Sequence, residues 1–285
     1  MTSPRELLTG WNIRAKRKLG QVFLADKNIA NRIVAGADVD ADSIVLEIGA
    51  GTGALTLPIA RAAGKVYAVE KDAQLAELLS TELLVNRISN VEIVRRDFLA
   101  LNLHAVAAQH SLPLLVMGNL PYNISSQILV KLIRCRELVS RAVLMFQREL
   151  AQRLTARPGG RDYGRLTVML RYSGEVRSLT VVPATAFFPK PQIDSEVLEI
   201  EFTPPGSRPV ADEHFLFDVI KAAFGRRRKT LKNALVGSQL NIGKDIVLEA
   251  LSQTGIEPSR RAETLTVNEY VALANSLLLL IGPQP

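Results

Sequence analysis

The sequence predicts an α/β fold: an open, mainly parallel, doubly wound sheet with antiparallel edge strands, followed by a small all-helical domain. Three observations carry this. Short runs rich in Val, Ile and Leu alternate with helix-length segments across residues 43–146, the rhythm of βαβ units. In several of these runs apolar residues fill both faces, as strands covered by helices on each side require. Beyond Thr203-Pro204-Pro205-Gly206-Ser207-Arg208-Pro209 the pattern becomes helical throughout.

In chain order, strands are expected at 43–48, 65–69, 91–95, 114–117 and 142–146, with helices at 55–63, 73–84 and 125–133 between them. Residues 147–155 fit a further helix, which Arg157-Pro158-Gly159-Gly160 breaks. Segment 166–172 suits helix or strand equally. Residues 176–182 and 196–202 read as two strands joined through the proline-rich Phe187-Phe188-Pro189-Lys190-Pro191, a pair suited to an antiparallel edge. After the linker, helices are expected at 214–224, 227–236, 244–254 and 267–280. Thr266 followed by Glu269 has the spacing of a capping box. The domain boundary is therefore placed between residues 203 and 204.

A chain of 285 residues with 47% hydrophobic content can bury a substantial core. Lys and Arg number 35 against 28 Asp and Glu, a net charge of +7 that suits a polyanionic partner. The charge is clustered, at Arg14, Lys16, Arg17 and Lys18, and again at Arg226, Arg227, Arg228, Lys229 and Lys232. A single cysteine, Cys135, excludes an intrachain disulfide framework and a cysteine-built zinc site, and fits a reducing cytoplasm. The N-terminus carries no apolar signal core, and the greasy run 277–281 is far short of the ~20 residues a membrane span needs. His104, His110 and His214 show no ligand spacing, so no metal is expected. No heptad seam is visible, which predicts a monomer.

Glu47-Ile48-Gly49-Ala50-Gly51-Thr52-Gly53 ends the first main strand and opens a helix. Glycines are needed where the backbone turns sharply and must leave no Cβ against a ligand. Gly49, Gly51 and Ala54 also match the dinucleotide fingerprint, so the glycines alone fit an NAD-type or an S-adenosylmethionine-type site. Glu70 ends the second main strand, about twenty residues on, where a carboxylate can accept from both ribose hydroxyls. Asp97 ends the third, where it can accept from an adenine amino group or simply cap a helix. Asn119-Leu120-Pro121-Tyr122 ends the fourth: an acceptor amide, a stiffening proline and a ring able to stack on a flat substrate, or equally a strand-ending turn with a packed tyrosine. All four fall at the C-terminal ends of successive strands, the edge where open α/β sheets bind ligands.

Leu19-Gly20-Gln21-Val22-Phe23-Leu24, the glycine loop, Asn119–Tyr122, the stretch from Phe187 to Ser195 and Phe224–Asn233 occur in one order. Together they resemble the ribosomal RNA adenine N6,N6-dimethyltransferases over about residues 14–275. The resemblance implies a Rossmann-like class I methyltransferase sheet, with S-adenosylmethionine contacting Val22, Leu24, Gly49, Glu70, Asp97 and Asn119 beside Gly51. The family usually has Asn at the Val22 position, so a side-chain contact is lost there. The implied reaction places methyl groups on two adjacent adenines near the 3′ end of small-subunit ribosomal RNA during assembly. Asn119 Oδ1 and the Leu120 carbonyl would accept the amine hydrogens. Tyr122 would stack on the base with Phe187 as a second plate, and Arg226–Lys232 would meet RNA phosphates from a helix end. The alternatives are the related large-subunit methyltransferases, whose turn usually reads Asn-Ile-Pro-Tyr, a non-catalytic RNA-binding assembly factor, and a nicotinamide oxidoreductase.

Overall fold

The structure is a computed structural model that describes residues 2–16, 20–226 and 228–282. The chain packs as two units, residues 1–151 with 175–203 and residues 152–174 with 204–285. Segment 152–174, which precedes the proline-rich linker, thus packs with the C-terminal helices.

In the first unit, α1 (Pro4–Gly10), β1 (Phe23–Leu24) and α2 (Lys27–Gly36) lead into β2 (Ile44–Ile48), α3 (Thr56–Ala62), β3 (Lys65–Val69), α4 (Ala73–Val85) and β4 (Val91–Val94). Then follow α5 (Leu103–Ala107), β5 (Leu114–Asn119), α6 (Ser125–Arg134) and β6 (Val139–Gln147). Helices α7 (Arg148–Thr155) and α8 (Arg165–Ser173) come next, then β7 (Gly174–Val182), β8 (Phe187–Phe188) and β9 (Ser195–Phe202). Helices α9 (Glu213–Gly225), α10 (Leu231–Val236), α11 (Lys244–Gln253) and α12 (Val267–Ile281) complete the second unit.

The seven-stranded sheet runs β4-β3-β2-β5-β6-β9-β7. Strands β2 to β6 pair in parallel, and β9 joins β6 antiparallel. Unbroken burial of Val45, Leu46, Glu47 and Ile48, and of Leu114–Gly118, confirms cover on both faces. The chain winds outward from β2 to β4, then resumes on the other side with β5. This reversal opens a crevice above the carboxyl ends of β2 and β5, the place where such sheets bind ligands.

Gly118 allows β5 to lie close to β2 there. A Cβ at this position would stand 2.6 Å from the Ile48 carbonyl oxygen and 3.3 Å from Ile48 Cβ. Because backbone must move to admit it, Gly118→Ala is expected to destabilise the protein by about 1–3 kcal/mol. Urea unfolding checks this, as a fall in midpoint with unchanged slope.

Segment 166–172, left open between helix and strand, is helical within α8. The Thr167 hydroxyl accepts from the Gly164 amide at 3.1 Å and donates to the Arg153 carbonyl at 2.7 Å, which anchors the first turn. The expected helix 227–236 is corrected: α9 ends at Gly225, and α10 starts only at Leu231, whose amide donates to the Arg260 carbonyl at 2.7 Å. Residues on either side of Arg227, which lies outside the described residues, form a turn in which the Lys229 amide reaches the Arg226 carbonyl at 2.8 Å. The capping box at Thr266 and Glu269 forms in both directions, at 3.2 and 2.7 Å. No helix among the described residues is long and apolar enough to cross a membrane.

Candidate active site

At the end of β2 the backbone passes through left-handed glycine conformations, φ +74° at Gly49 and +56° at Gly51. A Cβ on Gly51 would come within 3.1 Å of the Phe23 ring, so the left-handed φ disfavours a side chain there and the ring would have to yield to admit one. The Gly49 amide donates to the Val69 carbonyl at 2.9 Å, tying the loop to β3.

Glu70, just past β3, is buried and receives two backbone amides: Gly51 on Oε2 at 2.9 Å and Asp72 on Oε1 at 2.8 Å. Burial pushes its pKa up while these donors pull it back. The Lys71 amide is a third backbone donor to this carboxylate, whose four lone-pair sites still leave acceptor capacity for a diol. Asp97, past β4, caps the next turn through Oδ1, which accepts from the Leu99 amide at 2.9 Å; its Oδ2 pairs with Lys71 Nζ at 2.7 Å. That Lys71 contact holds the Asp97 carboxyl below the usual carboxylate range.

Asn119 is the last residue of β5, and its Nδ2 donates to the Val22 carbonyl at 2.8 Å. A carbonyl only accepts, so the amide nitrogen must face Val22 and Oδ1 must face the other way. At Val22, where the family usually has an asparagine, the main-chain carbonyl thus engages the Asn119 amide. Leu24, Leu120 and Pro121 line the same cleft as Val22, Gly49, Gly51, Glu70, Asp97 and Asn119. The sequence-predicted cofactor residues are thus gathered around one cleft, with the acceptor turn at its edge.

Residues 12–278 match the sequence profile of the family described as ribosomal RNA adenine dimethylase. The chain belongs to this family. It is 46% identical over 284 residues to the ribosomal RNA small subunit methyltransferase A of Desulforapulum autotrophicum, covering 100% of this chain and 99% of the relative. Among solved structures, a dimethyladenosine transferase from Plasmodium falciparum superposes with a TM-score of 0.75 at 27% identity, covering 88% of this chain and 95% of that one. The 23S rRNA methyltransferase ErmE gives 0.65 at 26%, covering 90% and 99%. Enzymes of this family depend on S-adenosylmethionine, and the cleft suits it: a glycine-rich loop, the buried carboxylate of Glu70 and the acid Asp97 line it at successive strand ends.

One of the dimethylase assignments changes. Phe187, expected as a second stacking plate, is 4% exposed and part of the hydrophobic core, where it pairs with Leu24 in the β1–β8 ladder. It offers no ring face to a base. Tyr122 is half-buried but stands outside the cleft wall, with its hydroxyl at 2.9 Å from Ser195 Oγ at the start of β9. Of the basic residues, Arg226, Arg228 and Lys229 are exposed and Lys232 half-buried, while Arg227 lies outside the described residues. The Arg226 guanidinium lies over Gly237, where a Cβ would collide with it. Arg17 and Lys18 also lie outside the described residues, and Lys16 pairs with Asp72 at 2.6 Å.

Sequence reasoning passed over Glu47. It lines the cleft at 1% exposure, its Oε2 without a hydrogen-bond partner. Burial, reinforced by the nearby Glu70 charge, pushes its pKa up to about 7 from 4.5. The signal was present, an acidic residue inside an otherwise apolar strand. The folded protein keeps this proton up to about pH 7, whereas the unfolded chain releases it near 4.5. Stability therefore falls as pH rises through that window, by roughly 3 kcal/mol in all. Glu47→Gln does not titrate, so its melting temperature should pull ahead of wild type between pH 5 and pH 8. Parallel melting curves for the two proteins across that range would contradict the assignment.

Proposed function

We propose that this chain transfers methyl groups from S-adenosylmethionine to N6 of two adjacent adenines near the 3′ end of small-subunit ribosomal RNA, during subunit assembly. The observation that carries this reading is the Asn119 amide. Its donor end is engaged by Val22, so its acceptor end is presented at the sheet edge beside the cofactor cleft.

The cofactor supplies an electrophilic methyl on a positive sulfur. Adenine N6 is a poor nucleophile because its lone pair is delocalised into the ring, so the protein's contribution is positioning. Asn119 Oδ1 and the Leu120 carbonyl accept the two amine hydrogens and turn the lone pair toward the methyl carbon. As the N–C bond formed and the S–C bond broke, leaving S-adenosylhomocysteine, the positive charge on nitrogen would be stabilised by these fixed dipoles, and the amine would then give one proton to solvent. The Ser195 bond fixes the Tyr122 ring for stacking on the base, an interaction worth ~1–3 kcal/mol. A neutral acceptor also suits the second transfer. When one N–H is lost, an unpaired amide oxygen costs less to leave in a water-poor pocket than a carboxylate.

The first unit is assigned the methyl transfer. The turn carrying Arg226–Lys229, with Lys232, is assigned contact to RNA phosphates, which position without reading sequence. The enzyme acts as a cytoplasmic monomer without a metal. Leucine at position 120 and the small-subunit relative at 46% identity favour the small subunit over the large. Labelled methyl transfer to unmethylated small subunits, large subunits and naked RNA tests the assignment. Label should enter small subunits, and label on large subunits alone would overturn it.

A further inference from the structure

Lys131, on the flank of α6, serves neither the cofactor contacts nor the acceptor kit described above. Its Nζ donates to the main-chain carbonyls of Phe98 at 2.7 Å, Leu99 at 3.0 Å and Leu101 at 2.5 Å. An ammonium has three N–H donors and no acceptor, so this tripod uses it completely. The same nitrogen lies 5.0 Å from the centre of the Phe98 ring, within cation–π range.

The loop it holds follows Asp97. Residues Phe98–Ala100 form a single 3-10 turn whose N-cap is Asp97, and both Asp97 and Phe98 line the cofactor cleft. The Asp97 carboxylate is held by Lys71 on Oδ2 and by the Leu99 amide on Oδ1, and that amide lies inside the turn that Lys131 clamps. The other end of α6 is equally pertinent. The helix begins at Ser125, whose hydroxyl donates to the Tyr122 carbonyl at 3.2 Å. Ile124 and Ile128 face the cleft, and Ile128 is three residues before Lys131, on the same side of the helix. One rigid helix thus carries the acceptor turn at its start and grips the base-binding loop on its side.

We infer that Lys131 is a positioning residue that aims Asp97 and the Phe98 edge at the cofactor's adenine, and so sets selectivity for the adenine amino group. This rests on the reading that the cleft binds S-adenosylmethionine with its base at Asp97. A lysine serving only as a structural staple would, when removed, weaken binding without regard to what the base carries at C6. A positioning lysine would change the discrimination itself.

The test compares S-adenosylhomocysteine with S-inosylhomocysteine, which bears oxygen in place of the amine, by calorimetry on wild type, Lys131→Met and Lys131→Arg. Wild type should prefer the adenosyl ligand by roughly 10–100-fold, the worth of a hydrogen bond to a charged acceptor. Lys131→Met should bind the adenosyl ligand about tenfold more weakly and the inosyl ligand unchanged, reducing the preference about tenfold, to roughly 1–10-fold. In turnover its KM for S-adenosylmethionine should rise with kcat at saturation retained. The planar guanidinium of Lys131→Arg cannot aim three donors at three converging carbonyls, so it should fall between the two; it decides the matter if the methionine variant fails to fold. Equal weakening of both ligands, or an intact preference in the variants, overturns the role of Lys131. Absence of any preference in wild type instead overturns the base-pocket reading on which it rests.

Discussion

Asn119→Ala is expected to lower kcat by roughly 10²–10³-fold, the usual cost of deleting one preorganised dipole at a site of developing charge. Affinity for S-adenosylhomocysteine should fall far less. The amide contributes there through one bond, Nδ2 to the Val22 carbonyl, whose loss loosens the residues beside the cleft by about 1 kcal/mol. The informative companion is Asn119→Asp. A carboxylate has no donor for the Val22 carbonyl and sets two acceptors against each other, so it should weaken cofactor binding more than alanine does. It should also fail in transfer, although it keeps an oxygen where Oδ1 stands. Single-turnover methyl transfer with saturating cofactor, beside calorimetric titration of the product, separates the two effects. Wild-type single-turnover rates in the alanine variant would remove Asn119 from the chemistry.

The second large effect is expected at Glu70. Its carboxylate organises the glycine loop through Gly51 and the start of the next helix through Asp72, and it is assigned the ribose hydroxyls. Each hydrogen bond to a charged group is worth about 1.5–3 kcal/mol. Glu70→Ala should therefore weaken S-adenosylhomocysteine binding by roughly 10²–10³-fold, with kcat affected mainly through occupancy. Glu70→Gln should rescue little. Its amide nitrogen must face one of the two backbone N–H groups, and two donors then compete for no acceptor. If Glu70→Gln binds product as well as wild type, the carboxylate is not the organiser of this site.

Both predictions draw on features that differ in how visible they were. Gly49, Gly51, Glu70, Asp97 and Asn119 could be found along the chain because a parallel sheet imposes its own order. Each strand of the parallel set delivers its last residues to the same edge, so these strand ends line one rim whatever the helices between them do. The family resemblance then named the chemistry. Phe187 was misjudged for the opposite reason. A phenylalanine beside prolines reads the same whether its ring faces solvent or core, and only the pairing of β8 with β1, between segments more than 160 residues apart, decides the matter. The arginines after Phe224 were placed on a helix by local propensity. The Leu231 amide instead takes its acceptor from Arg260, a partner no local pattern announces.

Periodicity and residues adjacent in the chain carried the parallel sheet, the strand ends that line the cleft, and the family. Only the tertiary structure decided which end of the Asn119 amide is free, that Glu47 is a buried acid in the cleft wall, and that Lys131 clamps the loop beside Asp97. Each of these rests on one directional bond, or on the missing solvent, between atoms far apart along the chain. Such contacts leave no periodic trace for a sequence to display.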